Sequence, residues 1–244
     1  MQIIPIPTRI MRPPQDDLYK VLDESLTDVR EKDIVVITSK VVSIHQGRCQ
    51  LIVDHETKND KDALVRQEAD YYIPREEALY DHPITIAHHA LISSAGIDES
   101  NADGHYVLLP KNITQICREI WKYIRTRFNI IEVGIVISDS HSSPLRAGAT
   151  GVAIGWFGFE PLILYAGKPD LFAREMKVSR SNVVDALAAA SGLVMGEGAE
   201  CIPVVVVRGV PSITFTDTDT TEELLIPLEE DMFFPLLKPF LKGV

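Results

Sequence analysis

A chain of 244 residues is long enough to bury a substantial core, and three cysteines are too few to staple a miniprotein. Hydrophobic residues at 45% and charged residues at 24% match ordinary globular chains, which excludes disorder and fibrous repeats. A net charge of −11 repels a phosphate backbone, so no nucleic-acid partner is expected.

No apolar run approaches the roughly 18 residues of a membrane span, and the start Met1-Gln-Ile-Ile-Pro-Ile-Pro carries no basic leader. The expectation is a cytoplasmic chain with no membrane partner. Cys49, Cys117 and Cys201 form no Cys-x-x-Cys pair and are expected to be reduced, mostly buried thiols. No linker or repeat divides the chain, so residues 1–244 are read as a single unit, or as two intertwined subdomains without a clear linker.

Residues 16–29 place Leu18, Val21, Leu22, Leu26 and Val29 at helical spacing behind Asp16 and Asp17, which suit a helix N-terminus. Asp33-Ile-Val-Val-Ile-Thr-Ser predicts a strand, and Arg48-Cys-Gln-Leu-Ile-Val a second one. Residues 56–80 are charged and weakly amphipathic, which predicts a helix. Residues 84–92 are apolar around His88 and His89, and Tyr106-Val-Leu-Leu-Pro closes a short strand. Ile113, Ile116, Cys117, Ile120, Ile124 and Phe128 keep one face of a helix through four turns.

Residues 131–138 form a near-continuous apolar run, the pattern of a strand buried on both faces, with Ser138-Asp139-Ser140 emerging into a loop. The glycines of Gly148-Ala-Thr-Gly-Val-Ala-Ile-Gly-Trp-Phe-Gly lack phosphate-loop spacing and predict close backbone packing. Residues 179–195 read as a helix capped by Ser181 or Asn182, and Val204 to Val207 as a strand. The tail from Thr216 is acidic, then apolar and broken by prolines, with Asp217-Thr218-Asp219 as a solvated loop or helix lead-in.

Three carboxylates sit in small-residue turns beside apolar stretches. Asp98 lies in Ser94-Ala-Gly-Ile-Asp-Glu-Ser-Asn with Asn101 one turn on, Asp139 precedes Ser140, and Glu197 lies in Met195-Gly-Glu-Gly. A carboxylate beside a hydroxyl suits a hard divalent cation, whereas a turn or a cap explains each position taken singly. The glycines around Glu197 let backbone amides approach an anion, and a helix C-cap explains them equally well. Lys40 at a strand end suits phosphate oxygens, and Arg146 and Arg208 have the fork that clamps a carboxylate or a phosphate. His141 is a further candidate, and His88-His89 read as a structural pair. Phosphate-loop, dinucleotide, nucleophile-elbow and His-Glu-x-x-His signatures are all absent.

Taken in order, Thr38-Ser-Lys-Val-Val-Ser, Ala95-Gly-Ile-Asp-Glu-Ser-Asn, Val136-Ile-Ser-Asp-Ser, Gly151-Val-Ala-Ile-Gly, Val194-Met-Gly-Glu-Gly-Ala-Glu and Ile202-Pro-Val-Val-Val-Val-Arg-Gly resemble the coenzyme F420-0:L-glutamate ligase family along nearly the whole chain. The resemblance implies an α/β fold of mixed sheets with flanking helices, a homodimer, a purine nucleotide (GTP, or ATP) and two divalent cations, Mg²⁺ or Mn²⁺. It implies Asp98, Asp139, Ser140 and Glu197 as metal ligands. Ser39, Asn101 and the backbone from Gly196 through Gly198 to Ala199 are implied as nucleotide contacts, and Lys40 joins them from its position at the strand end.

The departures from the family bear on the substrates. The family's nucleotide-contacting Ser-Lys is here Ser43-Ile44, with Lys40 or His45 as substitutes. A glycine-containing loop near the N-terminus is replaced by Pro7-Thr-Arg-Ile-Met-Arg, where Arg9 or Arg12 supplies charge. The Gly-Arg-Pro-x-Arg that follows the aspartate is here Ser142-Ser-Pro-Leu-Arg, which keeps Arg146 alone to face the acceptor. The resulting expectation is a ligase adding L-glutamate in γ-linkage to coenzyme F420-0 or to a folate-like acceptor through an acyl phosphate, with Asp98, Asp139, Glu197 and Arg146 as its catalytic set. A metal-dependent nucleotide phosphohydrolase and a non-catalytic nucleotide-binding protein are the alternatives.

Overall fold

The computed structural model describes residues 1–53 and 59–242. The first half runs β1 (Gln2–Ile6), α1 (Leu18–Ser25), β2 (Ile34–Thr38), α2 (Ser39–His45), β3 (Cys49–Leu51), α3 (Asn59–Glu68), β4 (Tyr71–Ile73), β5 (Ile84–Ala87), β6 (Ala90–Ser93) and β7 (His105–Val107). There follow α4 (Ile113–Phe128), β8 (Gly134–Ser142), β9 (Ala149–Phe157), β10 (Leu162–Leu164), β11 (Arg180–Asn182), α5 (Val183–Met195), β12 (Val204–Arg208) and the short helices α6 (Thr221–Leu224) and α7 (Phe234–Leu237).

The centre is a five-stranded mixed sheet in the order β1-β12-β2-β8-β9. Only β2 and β8 are parallel, from Ile34 opposite Gly134 to Thr38 opposite Ser138. The alternation of side chains along each strand buries both faces. Val35, Ile37, Ile135, Ile137, Val204 and Val206 pack with Leu18 and Leu22 of α1 and Ile116, Ile120 and Ile124 of α4. Ile34, Val36, Val136, Val205 and Val207 pack on Val184, Leu187 and Ala188 of α5. Helices on both faces are why these strands read as unbroken apolar runs instead of alternating ones. Each fully buried aliphatic side chain contributes about 1.5–3 kcal/mol. The edge strand β1 tolerates Pro5, whose missing amide has no neighbour to serve on the open side.

Several elements differ from expectation for identifiable reasons. The first helix stops at Ser25, and Leu26 and Val29 are buried from the connection instead. Asp17 caps it by accepting the amides of Tyr19 and Lys20, because Asp16 is held by Arg9. The helix expected over residues 56–80 falls partly outside the described residues and ends at Glu68. Tyr71-Tyr72-Ile73 is a strand paired with Ile84 to Ile86, since aromatic and β-branched side chains fit a pleated surface. Residues 180–182 pair with β10, so the helix there begins at Val183 with Asn182 as its cap. Asp219 accepts the Thr221 amide at 2.9 Å, as a helix lead-in does.

The glycine reading holds for three of the four: Gly158 packs on the Val133 carbonyl, whereas Gly148 has open space around it. A side chain at Gly151 would strike the Ala188 carbonyl of α5, and one at Gly155 would strike Ile113 of α4. Absent Cβ atoms let β9 lie directly against both helices. Among the described residues no helix is long and apolar enough to cross a membrane.

Candidate active site

Strand direction brings the chemistry to one edge of the central sheet. The parallel strands β2 and β8 both end there, which sets Thr38-Ser39-Lys40 beside Ser138-Asp139-Ser140. β12 runs the opposite way, so the loop preceding it arrives at the same edge, as does the segment following β1. Crevices at the carboxyl ends of parallel strands are the usual ligand sites of α/β sheets. Here the crevice is a cleft of about 500 Å³ bounded by these segments and by the loop carrying Asp98 to Asp103.

Asp139 belongs to β8 itself and not to a loop beyond it, because pairing with β9 continues to Ser142 after a register shift between Ile137 and Ser138. Such irregularities bend a strand and re-aim side chains beside active sites. Asp139 Oδ1 accepts the Ser140 amide at 2.9 Å, while Oδ2 is buried with no hydrogen-bond partner among the described residues. Burial pushes the Asp139 carboxyl up to about 6; nearby Asp98 pushes the same way, and the Ser140 amide, the adjacent Ser39 hydroxyl and Lys40 offset part of the rise.

Lys40 Nζ donates to Asp98 Oδ2 at 2.6 Å and to the Ser100 carbonyl at 2.8 Å. The Ser100 amide and hydroxyl donate to Asp98 at 2.8 and 2.9 Å. Burial works against ionisation of Asp98, but Lys40 and Ser100 outweigh it and hold the carboxyl below its ordinary value. Asn101 Nδ2 donates to the Gly198 carbonyl at 2.9 Å and ties the Asp98 loop to the glycine-rich loop. Glu197 is exposed on that loop and lines the cleft. Among the described residues no three His, Cys, Asp or Glu side chains already converge as a metal cluster. Asp98 instead holds the Lys40 ammonium.

Ser39, Lys40, Asp98, Asn101, Asp139, Ser140, Gly196, Glu197, Gly198 and Ala199 all line the cleft, drawn from four separate stretches of chain. Arg146 does not. It is exposed in the β8–β9 connection, its amide donating to Ser143 at 3.2 Å. Arg208 sits at the far end of β12, where it clamps buried Asp33 with Nε at 2.9 Å and Nη2 at 2.7 Å, so its fork serves the fold. His45 accepts the Leu18 amide at 3.2 Å, packs edge-on against Tyr19 and does not line the cleft, whereas Lys40 does. Ile44 is buried in the core. His141 pairs with Thr150 within the sheet and does not line the cleft. Cys201, expected to be buried, is exposed on the cleft wall.

Sequence reasoning missed Glu200. Its carboxylate accepts the Gly198 amide at 2.9 Å and fills the space beside Gly196, whose φ of +74° favours glycine. The loop thus accommodates an anion, and the chain supplies one of its own. The signal was a carboxylate within the glycine-rich stretch, overlooked beside Glu197.

Comparison with known proteins identifies the family. The family described as F420-0:Gamma-glutamyl ligase matches residues 5–209. The coenzyme F420:L-glutamate ligase of Methanothermobacter thermautotrophicus is 33% identical over 230 residues, covering 88% of this chain and 90% of that protein. Proteins of the same name from Halorubrum lacusprofundi and Methanocaldococcus jannaschii are each 34% identical, covering 79% and 84% of this chain and 81% and 86% of their own lengths. The match runs from β1 through β12 and takes in every segment that forms the cleft, so the chain belongs to the F420-0:gamma-glutamyl ligase family and is an enzyme of the ligase class.

Proposed function

We propose that this enzyme joins L-glutamate through a γ-glutamyl amide bond to the terminal carboxylate of coenzyme F420-0 or of a folate-like acceptor. A purine nucleoside triphosphate, GTP or ATP, drives the reaction. The observation that carries the reading is the Asp139 carboxylate, with one oxygen buried and, among the described residues, unpartnered, near Asp98 in the cleft. A buried, unsatisfied carboxylate oxygen calls for a partner, and a cation is the partner this chemistry provides.

Asp98, Asp139, Ser140 and Glu197 fit two divalent cations, Mg²⁺ or Mn²⁺, which neutralise phosphate oxygens when bound. The rest is done by the chain's own groups. The glycine-rich loop of residues 196–199 faces the phosphates, its Gly196 and Gly198 amides already engaged by the Gly192 carbonyl and the Glu200 carboxylate, Asn101 holds that loop in place, and Ser39 lines the cleft beside it. Lys40, released when Asp98 takes another partner, swings to phosphate oxygens. The terminal phosphoryl group passes to the acceptor carboxylate, the L-glutamate amine attacks the resulting acyl phosphate, and inorganic phosphate leaves with the nucleoside diphosphate already formed. No protein nucleophile is required, and catalysis is positioning and charge neutralisation. Arg146, outside the cleft in this chain, lies on a hairpin suited to meet an acceptor or a second copy.

A homodimer is part of the same reading. Leu145, Leu171, Phe172, Val178 and Leu193 stand almost fully exposed and offer apolar side chains for a second copy to cover.

The test is mass spectrometry of the protein incubated with L-glutamate, Mn²⁺ or Mg²⁺, and GTP or ATP, with F420-0 and a reduced folate in separate reactions. A glutamyl mass increment on one acceptor, abolished by EDTA, is the expected result. Phosphate release without glutamate transfer marks a phosphohydrolase, and saturable nucleotide binding without turnover marks a binding protein; either overturns the ligase reading.

A further inference from the structure

The cleft is short of cations for a site that takes polyanions. Asp98, Asp103, Asp139, Glu197 and Glu200 line it, against Arg9, Arg12 and Lys40. Two of the three cations are already committed. Arg9 donates from Nη1 and Nη2 to Asp16 at 2.6 and 2.9 Å and from Nε to Glu24 at 3.0 Å, so each of its nitrogens has a carboxylate partner. Lys40 is bound to Asp98 and the Ser100 carbonyl.

Arg12 differs. Its guanidinium is 74% exposed, and its nearest carboxylate among the described residues, Asp103, is itself exposed and lies at 3.7 Å, beyond hydrogen-bond reach. Its backbone, by contrast, is fixed. The Arg12 amide donates to Asp16 Oδ2 at 3.3 Å, the oxygen that Arg9 Nη1 also holds, and the preceding Met11 is buried in the core. Asp16 therefore anchors the segment through Arg9 and leaves the Arg12 fork open to the cleft.

We propose that Arg12 is the side chain that receives an oxyanion of the substrates, through the paired N–H groups that match a phosphate or a carboxylate. The proposal rests on the ligase reading above and adds to it the residue that sets anion affinity. Arg9, though nearer the start of the same segment, is the strut and not the ligand. The anion has two sources in this reaction: a phosphate of the nucleotide, or a carboxylate of L-glutamate or the acceptor.

The experiment compares wild type, Arg12→Gln and Arg12→Lys in Mn²⁺ buffer. Nucleotide dissociation constants come from calorimetry with GTP and ATP, and KM and kcat are measured separately for nucleotide, L-glutamate and acceptor. In Arg12→Gln the constant for one anion rises about tenfold or more with kcat little changed. Arg12→Lys recovers part of the loss, and the salt dependence of that constant flattens in Arg12→Gln. Which constant moves identifies the anion. A structural role would lower thermal stability and act on all constants alike, without rescue by lysine; that pattern, or unchanged constants in Arg12→Gln, overturns the proposal alone. Wild-type protein that binds neither nucleotide overturns the ligase reading and this proposal with it.

Discussion

Arg208 shows how one residue type serves either the fold or the site according to its partner. Asp33 is fully buried, and Arg208 reaches both its oxygens while Nη1 extends to Asp28 at 3.2 Å. Removing one partner of a buried pair strands the other charge, which costs about 3–5 kcal/mol. Arg208→Met is therefore expected to lower the urea midpoint by that equivalent while leaving the nucleotide KM unchanged, because Arg208 lies at the sheet end opposite the cleft. Loss of nucleotide affinity with stability intact would show instead that the fork binds substrate. From sequence the two readings were indistinguishable, since nothing in Val207-Arg-Gly says that Asp33 stands opposite. The same holds for Asp98 and Lys40, separated by 58 positions and joined by a 2.6 Å hydrogen bond.

Among the elements, β9 and the β5–β6 hairpin carry the clearest constraints. Gly151 lets β9 touch the backbone of α5 at Ala188. Gly151→Ala pushes that helix from the sheet, and overpacking of this kind costs about 1–3 kcal/mol; a thermal shift lower by several degrees is expected, and an unchanged melting temperature would mean that α5 moves freely. In the hairpin, Ala87 pairs with Ala90, which leaves His88 and His89 as the two turn residues with φ of +50° and +57°. Burial holds the His88 imidazole below its ordinary value, His89 and Arg48 adding to the effect and Asp70 and Glu68 opposing it. A histidine kept neutral by the fold contributes its full stability above its unfolded value of about 6.5. That contribution falls away as pH drops through the lower folded value. His88→Asn, which tolerates positive φ, is expected to lose less stability than wild type between pH 7.5 and 5.5 in parallel denaturation curves. Parallel losses would remove His88 as the source.

For the whole molecule, the net charge of −11 and the exposed apolar residues pull in opposite directions. Mutual repulsion keeps copies apart unless apolar contact outweighs it, and Leu171, Phe172 and Val178 gather in the 165–179 segment between β10 and β11. Leu171→Asp with Phe172→Asp is expected to convert a dimer to a monomer in analytical ultracentrifugation while the circular dichroism of the fold stays unchanged. A wild-type chain that sediments as a monomer would overturn the dimer.

Periodicity made the helix over residues 113–128 and the buried strands plain, because alternation and helical spacing are local properties of a chain. The glycine and acidic segments named the cleft's main residues, because small residues and carboxylates in turns are unusual enough to be noticed without coordinates. Tertiary structure decided the rest. It placed Asp139 inside a strand, withdrew Arg146 and Arg208 from the cleft, set Glu200 in the glycine loop and left Arg12 open while Arg9 was tied down. Those outcomes depend on which charge lies opposite which, and strand direction and register set those pairings across tens to hundreds of residues. No local pattern contains that information.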